Sequence, residues 1–408
     1  MKILFLSDNF PPEVNAPAIR TYEHCARWVQ QGAEVTVITC QPNFPRGKIY
    51  DGYKNKLYQK EIIDGIRVIR VWSFIAPNSG FFKRIVDFLS YAVMAFFVGL
   101  FQSCDVIVGT SPQFFTAVAA RMLSIFKWKP WVMEVRDLWP ESIAAVGALK
   151  KSSLAYKFLT KVEHHLYRSA DRIIPVTNAF RKYILDKGID VDKIKVITNG
   201  VDSKKFQAGK KDQVLLKNLG LQDKFVIGYL GTHGMAHALD FVVETATKMN
   251  DDNIHFVLQG DGSEKLKLQD KVKSLGLKNL TFLPFVSKDV IRSYISILDV
   301  ALVNLKKSDT FKTVIPSKIF ENACMQKPIL LGVEGESKEI IEKYGAGICY
   351  EPENRKSLMS AIERISRIEV YRQYQSGCIN LSADFDRNKL ADQMLNIIKT
   401  VKDKTRNK

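Results

Sequence analysis

The feature that most restricts what this chain can fold into is a repeated alternation. Short runs dominated by Ile, Val and Leu recur along it: KILFLS (2–7), EVTVIT (34–39), IRVIRV (66–71), DVIVGT (105–110), PWVMEV (130–135), RIIPVT (172–177) and KIKVIT (193–198). Between most of them lie stretches with apolar residues at helical spacing, such as 18–31 and 156–169. Buried strands alternating with helices predict parallel sheets covered by helices on both faces. The Pro- and Gly-containing region 45–60 breaks the alternation and reads as a loop. After NGVD (199–202) the composition turns polar and lysine-rich, SKKFQAGKKDQ, and a linker is predicted over 204–222. A second series follows: FVIGYLG (225–231), IHFVLQG (254–260), LTFLPF (280–285), DVALVNL (299–305), PILLGV (328–333) and AGICYE (346–351). Helical patterns fill the chain from 357 to about 401. At 408 residues the chain exceeds one ordinary core. The expected architecture is α/β, with two doubly wound Rossmann-like domains, 1–203 and 223–384, and a final helix in 385–408 packing back on the first. Ligands of open parallel sheets sit beyond the carboxyl ends of the strands, so a cleft between the two domains is the expected site.

Charge narrows the partners. The formal net charge is +17, and the basic excess is spread over both halves rather than gathered in one tail. Such a field favours polyanions: nucleic acid, anionic lipid or a phosphorylated substrate. Cysteines at 25, 40, 104, 324, 349 and 378 form no CxxC pair and no even framework, which points to reduced thiols. No run of residues has metal-ligand spacing, and no metal is expected. The N-terminal run ILFL is far short of the apolar core of a secretion signal and reads as the first buried strand. The segment FFKRIVDFLSYAVMAFFVGLFQSC (81–104) is nearly continuously apolar behind Lys83 and Arg84, with Asp87 interrupting it. It fits a buried or amphipathic helix of an α/β domain, or a helix lying in a membrane interface with its basic flank on anionic headgroups. It is short for a spanning helix.

The most specific chemistry lies in IPSKIFENACMQKPILLGV (315–333). Pro316 suits the first helical position, Ile319, Phe320, Ala323 and Cys324 share one face, and Gln326-Lys327-Pro328 ends the helix before a buried strand. Glu321 lies one turn from Lys318, near the positive end of the helix dipole, where a carboxylate can accept two hydrogen bonds from a vicinal diol. A Lys318–Glu321 surface pair is the plainer reading of the same residues. YLGTHGMAHALD places Gly231 and Gly234, and QGDGSEKL places Gly260 and Gly262, where strands give way to helices. Their backbone N–H groups can cradle a phosphate, or the glycines can simply make tight turns; neither stretch matches a dinucleotide or Walker fingerprint.

Taken in order, SDNFPPE, VRDLWPE, NGVD, YLGT, QGDG, LPFV and IPSKIFENACMQKPI resemble a glycosyltransferase of the GT-B fold, and more closely the retaining glycosyltransferase family 4. The resemblance spans essentially the whole chain. The wording SDNFPPEVNAPAIRTYEH and VRDLWPES is similar to a bacterial surface-polysaccharide subgroup associated with moving N-acetyl-L-fucosamine, or a related amino sugar, onto a lipid-linked intermediate. The resemblance implies that Glu321 grips the ribose hydroxyls of a nucleotide. Eight positions earlier, where the family has a second glutamate facing the donor sugar, this chain has Thr313, which supplies neither charge nor bidentate acceptance. The family's arginine and lysine for the donor diphosphate are matched here by Thr232 and His237, so the two fixed cations are absent. Arg136, Lys318 and the Gly231–Gly234 amides are expected to share that role, with Ser317 and the other amides of 315–318 nearby; pairing of Arg136 with Asp137 or Glu134 is the structural alternative. Asp261, Phe285 and Val286 match positions near the nucleotide base. Asn15 and Ala16, in place of the family's glycine-rich loop, with Glu141 and Asp137, are the candidate acceptor-side or base residues. His24, His164 and His165 sit on helical patterns and read as structural.

The resemblance implies a cytoplasmic, retaining, metal-independent enzyme without a cofactor, peripheral to the inner membrane. It would take a UDP-sugar donor and extend an undecaprenyl-diphosphate-linked saccharide in O-antigen or capsule biosynthesis, with nucleic acid no partner. An anionic bilayer accounts for both the +17 charge and the 81–104 segment. A UDP-sugar epimerase of the same fold would need no acceptor. A non-catalytic polyanion-binding protein would have no use for Glu321.

Overall fold

The computed structural model describes residues 1–44, 46–75, 81–145, 147–249, 251–287 and 290–406. The chain divides into two compact units, residues 1–198 with 387–408, and residues 199–386.

The first unit begins with β1 (Lys2–Leu6), α1 (Ala16–Gln30), β2 (Glu34–Cys40), β3 (Tyr58–Ile63), β4 (Ile66–Val71) and α2 (Phe81–Leu100). It continues through β5 (Val106–Thr110), α3 (Phe114–Lys127), β6 (Trp131–Val135), α4 (Glu141–Ala145), α5 (Leu154–Ser169), β7 (Arg172–Pro175) and α6 (Asn178–Asp186). The strands form one sheet in the order β3-β4-β2-β1-β5-β6-β7, parallel except for the antiparallel pair β3–β4. Successive side chains of a strand face opposite ways, so β1 divides itself between two cores. Leu4 and Leu6 pack with Tyr91 and Ala95 of α2, Leu123 of α3 and Leu166 of α5; Ile3 and Phe5 pack with Trp28 of α1 and with residues of the final helix.

The second unit holds α7 (Gln213–Leu219), β8 (Phe225–Leu230), α8 (Leu239–Ala246), β9 (Ile254–Gln259), α9 (Lys265–Ser274), β10 (Leu280–Leu283), α10 (Ile291–Ser296) and β11 (Val300–Asn304). It ends with α11 (Lys318–Cys324), β12 (Ile329–Gly332), α12 (Glu336–Tyr344), β13 (Gly347–Cys349), α13 (Arg355–Ile365) and α14 (Ile368–Asp384). Its sheet is fully parallel in the order β10-β9-β8-β11-β12-β13, with α8, α9 and α13 on one face and α11, α12 and α14 on the other. The chain then returns to the first unit as α15 (Arg387–Arg406). There Trp28 Nε1 donates to Ala391 O at 2.8 Å and Arg27 forks onto Asp392 at 2.7 and 2.8 Å.

Four features differ from the sequence reading. Residues 58–63, partly inside the region read as a loop, form the edge strand β3; Asp64 and Gly65, both at positive φ, make the hairpin turn into β4. Residues 193–198 form no strand. Lys195 and Ile197 donate to Ile173 O and Pro175 O, but β7 ends on Pro175, whose nitrogen has no hydrogen to return a bond. Residues 204–222, read as a linker, belong to the second unit: Asp212 caps α7, Gly220 ends it at φ 67°, and Leu216 and Leu221 are buried with Val226 and Leu298. Pro316 lies two residues before α11, in an opening turn closed by Ile319 N–H on Pro316 O.

Candidate functional site

In the second unit, chain order runs outward from β8 to β10 on one side and from β11 to β13 on the other. The loops after β8 and β11 therefore flank the topological switch point, where a parallel sheet presents a ligand site. The backbone there is tightly laced. Gly231 N–H donates to Gln259 O, His233 N–H to Asp261 O, Glu264 N–H to His233 O and Lys306 N–H to Ala236 O, all at 2.8–2.9 Å. Gly260 has φ 137°, and a Cβ built on it would lie 1.8 Å from Gly231 O; one on Gly262 would meet His233 O at 2.5 Å. These two glycines serve close packing of the β8 and β9 loops.

Lys318 reaches this knot from the first residue of α11. Its Nζ lies 3.8 Å from the Tyr229 ring centroid and 2.9 Å from where a Gly231 Cβ would stand. Substitution of Gly231 would push the ammonium aside. Glu321 acts on this ammonium only through its charge, so the plain surface-pair reading gives way to a cation on an aromatic face. Burial pulls Lys318 down to about 7, with Glu321 opposing. Glu321 itself is half-buried on the same helix. Burial, and then Lys318, lower His237 to about 4, so it is neutral at pH 7 and brings no charge. His233, which the sequence reading passed over, is wholly buried between Tyr229 and Phe282. Tyr229 Oη donates to Thr232 O at 2.8 Å.

The other donor-side candidates are more peripheral. Thr313 Oγ1 donates to Thr310 O at 3.2 Å, closing its own turn. Ser317 and Asp261 are exposed, and Asp261 accepts from Gly262 N–H at 2.8 Å. Phe285 is exposed beside half-buried Val286. A cavity of about 350 Å³ lined by Gly234, Met235, Lys306 and Glu353 opens beside the β8 loop and includes neither Lys318 nor Glu321.

In the first unit, Ser111 Oγ accepts from the N–H groups of Arg136 and Asp137 at 2.7 and 3.1 Å, fixing the turn after β6. Asp137 accepts from Leu138 N–H and Ser142 Oγ; burial raises it despite those bonds. Arg136 donates through Nη1 to Pro17 O at 3.1 Å, and burial lowers it to about 10. Glu134 pairs chiefly with Arg20 at 2.9 Å, and this wholly buried pair also receives Thr110 Oγ1. Asn15 caps α1 through Ala18 N–H at 2.8 Å and donates to Asn9 at 2.7 Å, while Ala16 is exposed. Glu141 is committed elsewhere: Lys151 takes one oxygen and Tyr156 Oη donates to the other at 2.6 Å.

Sequence reasoning missed a carboxylate group beyond β1. Burial, with Asp87 and Glu13 adding repulsion, raises Asp8 well above the usual carboxylate range. Burial brings Asp87 of α2 to about 7. Glu13 accepts from the amides of Asn43 and Phe44 at 2.8 and 2.9 Å. The signal was present in SDNFPPE, which holds two of the three acids; Asp87 looked like a mere break in an apolar run. Among the described residues no cluster of His, Cys, Asp and Glu has the arrangement of a metal site.

Two family models divide the chain as its sheets do. A glycosyl transferase 4-like domain matches residues 15–200, and a glycosyl transferases group 1 domain matches residues 212–377. The chain is 26% identical to the Escherichia coli K12 protein WcaI, named as a colanic acid biosynthesis glycosyl transferase, over 89% of this chain and 92% of that one. It is also 26% identical to Pseudomonas aeruginosa WbjE, named as a glycosyltransferase, over 65% and 66% of the two chains. Among solved structures it is similar to Anabaena HepE in complex with UDP, with TM-score 0.70, 16% identity and coverage of 98% and 100%. Two parallel Rossmann-like sheets, matched one to each of these domains, make the chain a GT-B glycosyltransferase of the glycosyl transferase 4-like and group 1 families.

Proposed function

We propose that this glycosyltransferase is a retaining enzyme of surface-polysaccharide biosynthesis. It takes a UDP-sugar, with N-acetyl-L-fucosamine or a related amino sugar as the group moved, and an undecaprenyl-diphosphate-linked saccharide as acceptor. The observation that carries the reading is the placement of Lys318 and Glu321 on one short helix at the switch point of the second sheet. A carboxylate there suits a ribose diol, and an ammonium against Gly231 suits a diphosphate. Two relatives support the wider setting: WcaI is named for colanic acid, and Bacillus subtilis TuaH for teichuronic acid. HepE, of the same fold, binds UDP.

In this reading Glu321 holds the ribose, while Lys318, the amides of Gly231, Thr232 and Gly234, and neutral His237 hold the diphosphate. Ser317 and Thr313 face the sugar, and Asp261, Phe285 and Val286 border the base. As the glycosidic bond to the leaving phosphate breaks, negative charge grows on the diphosphate, and a protonated Lys318 stabilises it. The leaving phosphate can accept the acceptor's proton on the same face, which preserves the anomeric configuration and needs no separate base. Asp137, Asn15 and Ala16 are assigned to the acceptor, and Arg136, bound to Pro17 O, orients the loop that carries them.

Calorimetric titration with UDP, GDP and dTDP tests the donor half on wild type and Glu321→Ala. UDP binding that collapses in the variant supports it; a folded wild type that binds none of the three removes it. Proton NMR of the first glycosidic product tests retention. An epimerase of this fold remains the alternative reading, because Thr313 stands where the family has its first, sugar-facing glutamate. Conversion of the UDP-sugar to its epimer without acceptor would select it.

A further inference from the structure

The turn that leads from β8 into α8 is held from outside its own sequence. Ala238 stands at φ 47° and ψ 39°, in the left-handed region that a residue carrying a Cβ enters at a cost. It opens α8 with no side-chain cap. β11, beside β8 in the sheet, supplies what the loop lacks. Asn304, the last residue of β11, donates through Nδ2 to His237 O and, at 3.5 Å, to Ala238 O. Two residues on, Lys306 N–H donates to Ala236 O at 2.9 Å. Three successive carbonyls, those of Ala236, His237 and Ala238, are drawn to one strand end.

The amide stands there for its N–H groups. Turned over, it would set its oxygen against two carbonyl oxygens. In the orientation it has, Oδ1 is buried without a partner among the described residues, and Asn304 is only 3% exposed. A buried polar atom left unpaired costs stability, and a leucine of similar volume would avoid that cost. What the position keeps instead is its hold on the loop. The far side of the loop shows the consequence. The C=O and N–H of one peptide point opposite ways, so carbonyls drawn to β11 turn the following N–H groups away from it. His237 N–H closes on Gly234 O at 3.0 Å, and Tyr229 Oη secures the loop's other end at Thr232 O. Among the described residues neither Thr232 N–H nor Gly234 N–H has an acceptor, and these are amides assigned above to the diphosphate.

We propose that Asn304 is a positioning residue of the donor site: by holding the His237 and Ala238 carbonyls it fixes the left-handed turn that presents the Gly234 amide and the His237 side chain to the diphosphate. Asn304 itself touches no ligand and acts through the loop. The inference rests on the donor reading above for its ligand, and it deepens that reading by naming the group that shapes the diphosphate cradle.

The test compares the full chain as wild type, Asn304→Leu, Ala238→Gly and the double variant, by calorimetry with UDP and with uridine, which offers base and ribose but no phosphate. Asn304→Leu should bind UDP about tenfold more weakly, the size of one net hydrogen bond, and should bind uridine as wild type does. A second unit loosened as a whole would weaken both ligands alike. Ala238→Gly should bind UDP like wild type, since glycine enters the left-handed turn freely. Added to Asn304→Leu, it should recover most of the lost affinity, because the turn then needs less holding. Melting curves report folding, and Asn304→Ala takes the place of Asn304→Leu if the latter does not fold. Full UDP affinity in a folded Asn304 variant, an equal loss for uridine, or no recovery in the double variant overturns the proposal and leaves the donor reading standing. A folded wild type that binds no UDP removes the donor reading, and the proposal with it.

Discussion

Lys318→Met is the most informative single change, because two opposite effects follow from one geometry. The ammonium rests on Tyr229 against Gly231 and is held at about 7. It is therefore roughly half charged at neutral pH and about one-hundredth charged at pH 9. A diphosphate bound there favours the ammonium, so binding takes up a proton: affinity is greatest below pH 7 and falls as pH rises above it. UDP itself is fully ionised above about pH 7.5, since a terminal phosphate titrates near 6. Between pH 7.5 and 9 the wild type should lose up to about tenfold in affinity per pH unit, and Lys318→Met should be nearly flat. A charge-assisted bond contributes about 1.5–3 kcal/mol, so at pH 7 the variant should bind roughly 10- to 150-fold more weakly. Calorimetry in two buffers of different ionisation enthalpy at pH 7 should read about half a proton taken up by wild type and none by the variant. Stability moves the other way. The unfolded lysine titrates at its ordinary 10.5 and the folded one at about 7, so the unfolded chain holds more protons between these values. The penalty is complete below 7 and fades as pH rises to 10.5, so Lys318→Met should melt higher than wild type at pH 7, by at most about 5 kcal/mol, and the gap should close in alkali. A Lys318→Met variant that binds UDP as tightly as wild type would refute the assignment of Lys318 to the diphosphate, and wild-type affinity level from pH 7.5 to 9 would refute its lowered proton affinity.

Glu321→Ala should weaken UDP but leave 2′-deoxy-UDP almost unchanged, because wild type should prefer the ribonucleotide and the variant should not; equal preference in wild type would remove the ribose contact. Gly260→Ala should unfold or loosen the β8 and β9 loops, since its Cβ would lie 1.8 Å from Gly231 O; hydrogen exchange should speed at residues 231–234, and an unaltered melting curve would contradict the packing described. Arg20→Met should cost about 3–5 kcal/mol by leaving Glu134 buried without its main partner, while Arg20→Met with Glu134→Met should recover much of the loss, as read by denaturant melts.

The parallel sheets were legible because their central strands are buried on both faces and read as unbroken apolar runs. Edges hid better. β3 has only β4 beside it and carries Gln59, Lys60 and Glu61, so its composition is that of a surface; only the Asp64-Gly65 turn betrayed it. That Lys318 and Glu321 share one short helix was legible, but the state of Lys318 was not. Its low affinity for a proton comes from Tyr229 and the β8 loop, which approach it only when β8 and β11 lie side by side. Glu141 shows the opposite limit: its position suited a ligand, and its oxygens turned out to hold Lys151 and Tyr156. Local pattern reports which face a side chain occupies; partners and proton affinities belong to the assembled sheet.

In the proposed donor site, one titrating lysine in place of two permanent cations has a thermodynamic logic. Two ammonium or guanidinium groups beside Tyr229, His233 and His237 would repel each other in the absence of an anion, at a folding cost of several kcal/mol. Lowered proton affinity avoids most of that cost: the lysine can remain neutral until a diphosphate arrives and then acquire its proton with the ligand. The neutral histidines allow this, since a charged His237 would drive Lys318 lower still. It follows that Lys318→Arg should retain nucleotide binding but not its pH dependence. Arginine stays charged at every accessible pH and is bulkier, so it should hold nucleotide without the pH dependence while lowering the melting temperature of the free protein. Substituting His237 with Gln should leave the fall in UDP affinity at the same pH, because a neutral His237 sets no charge beside Lys318 above pH 7. A displaced fall would show that His237 is charged beside the lysine at neutral pH and that burial alone does not set the lysine's proton affinity.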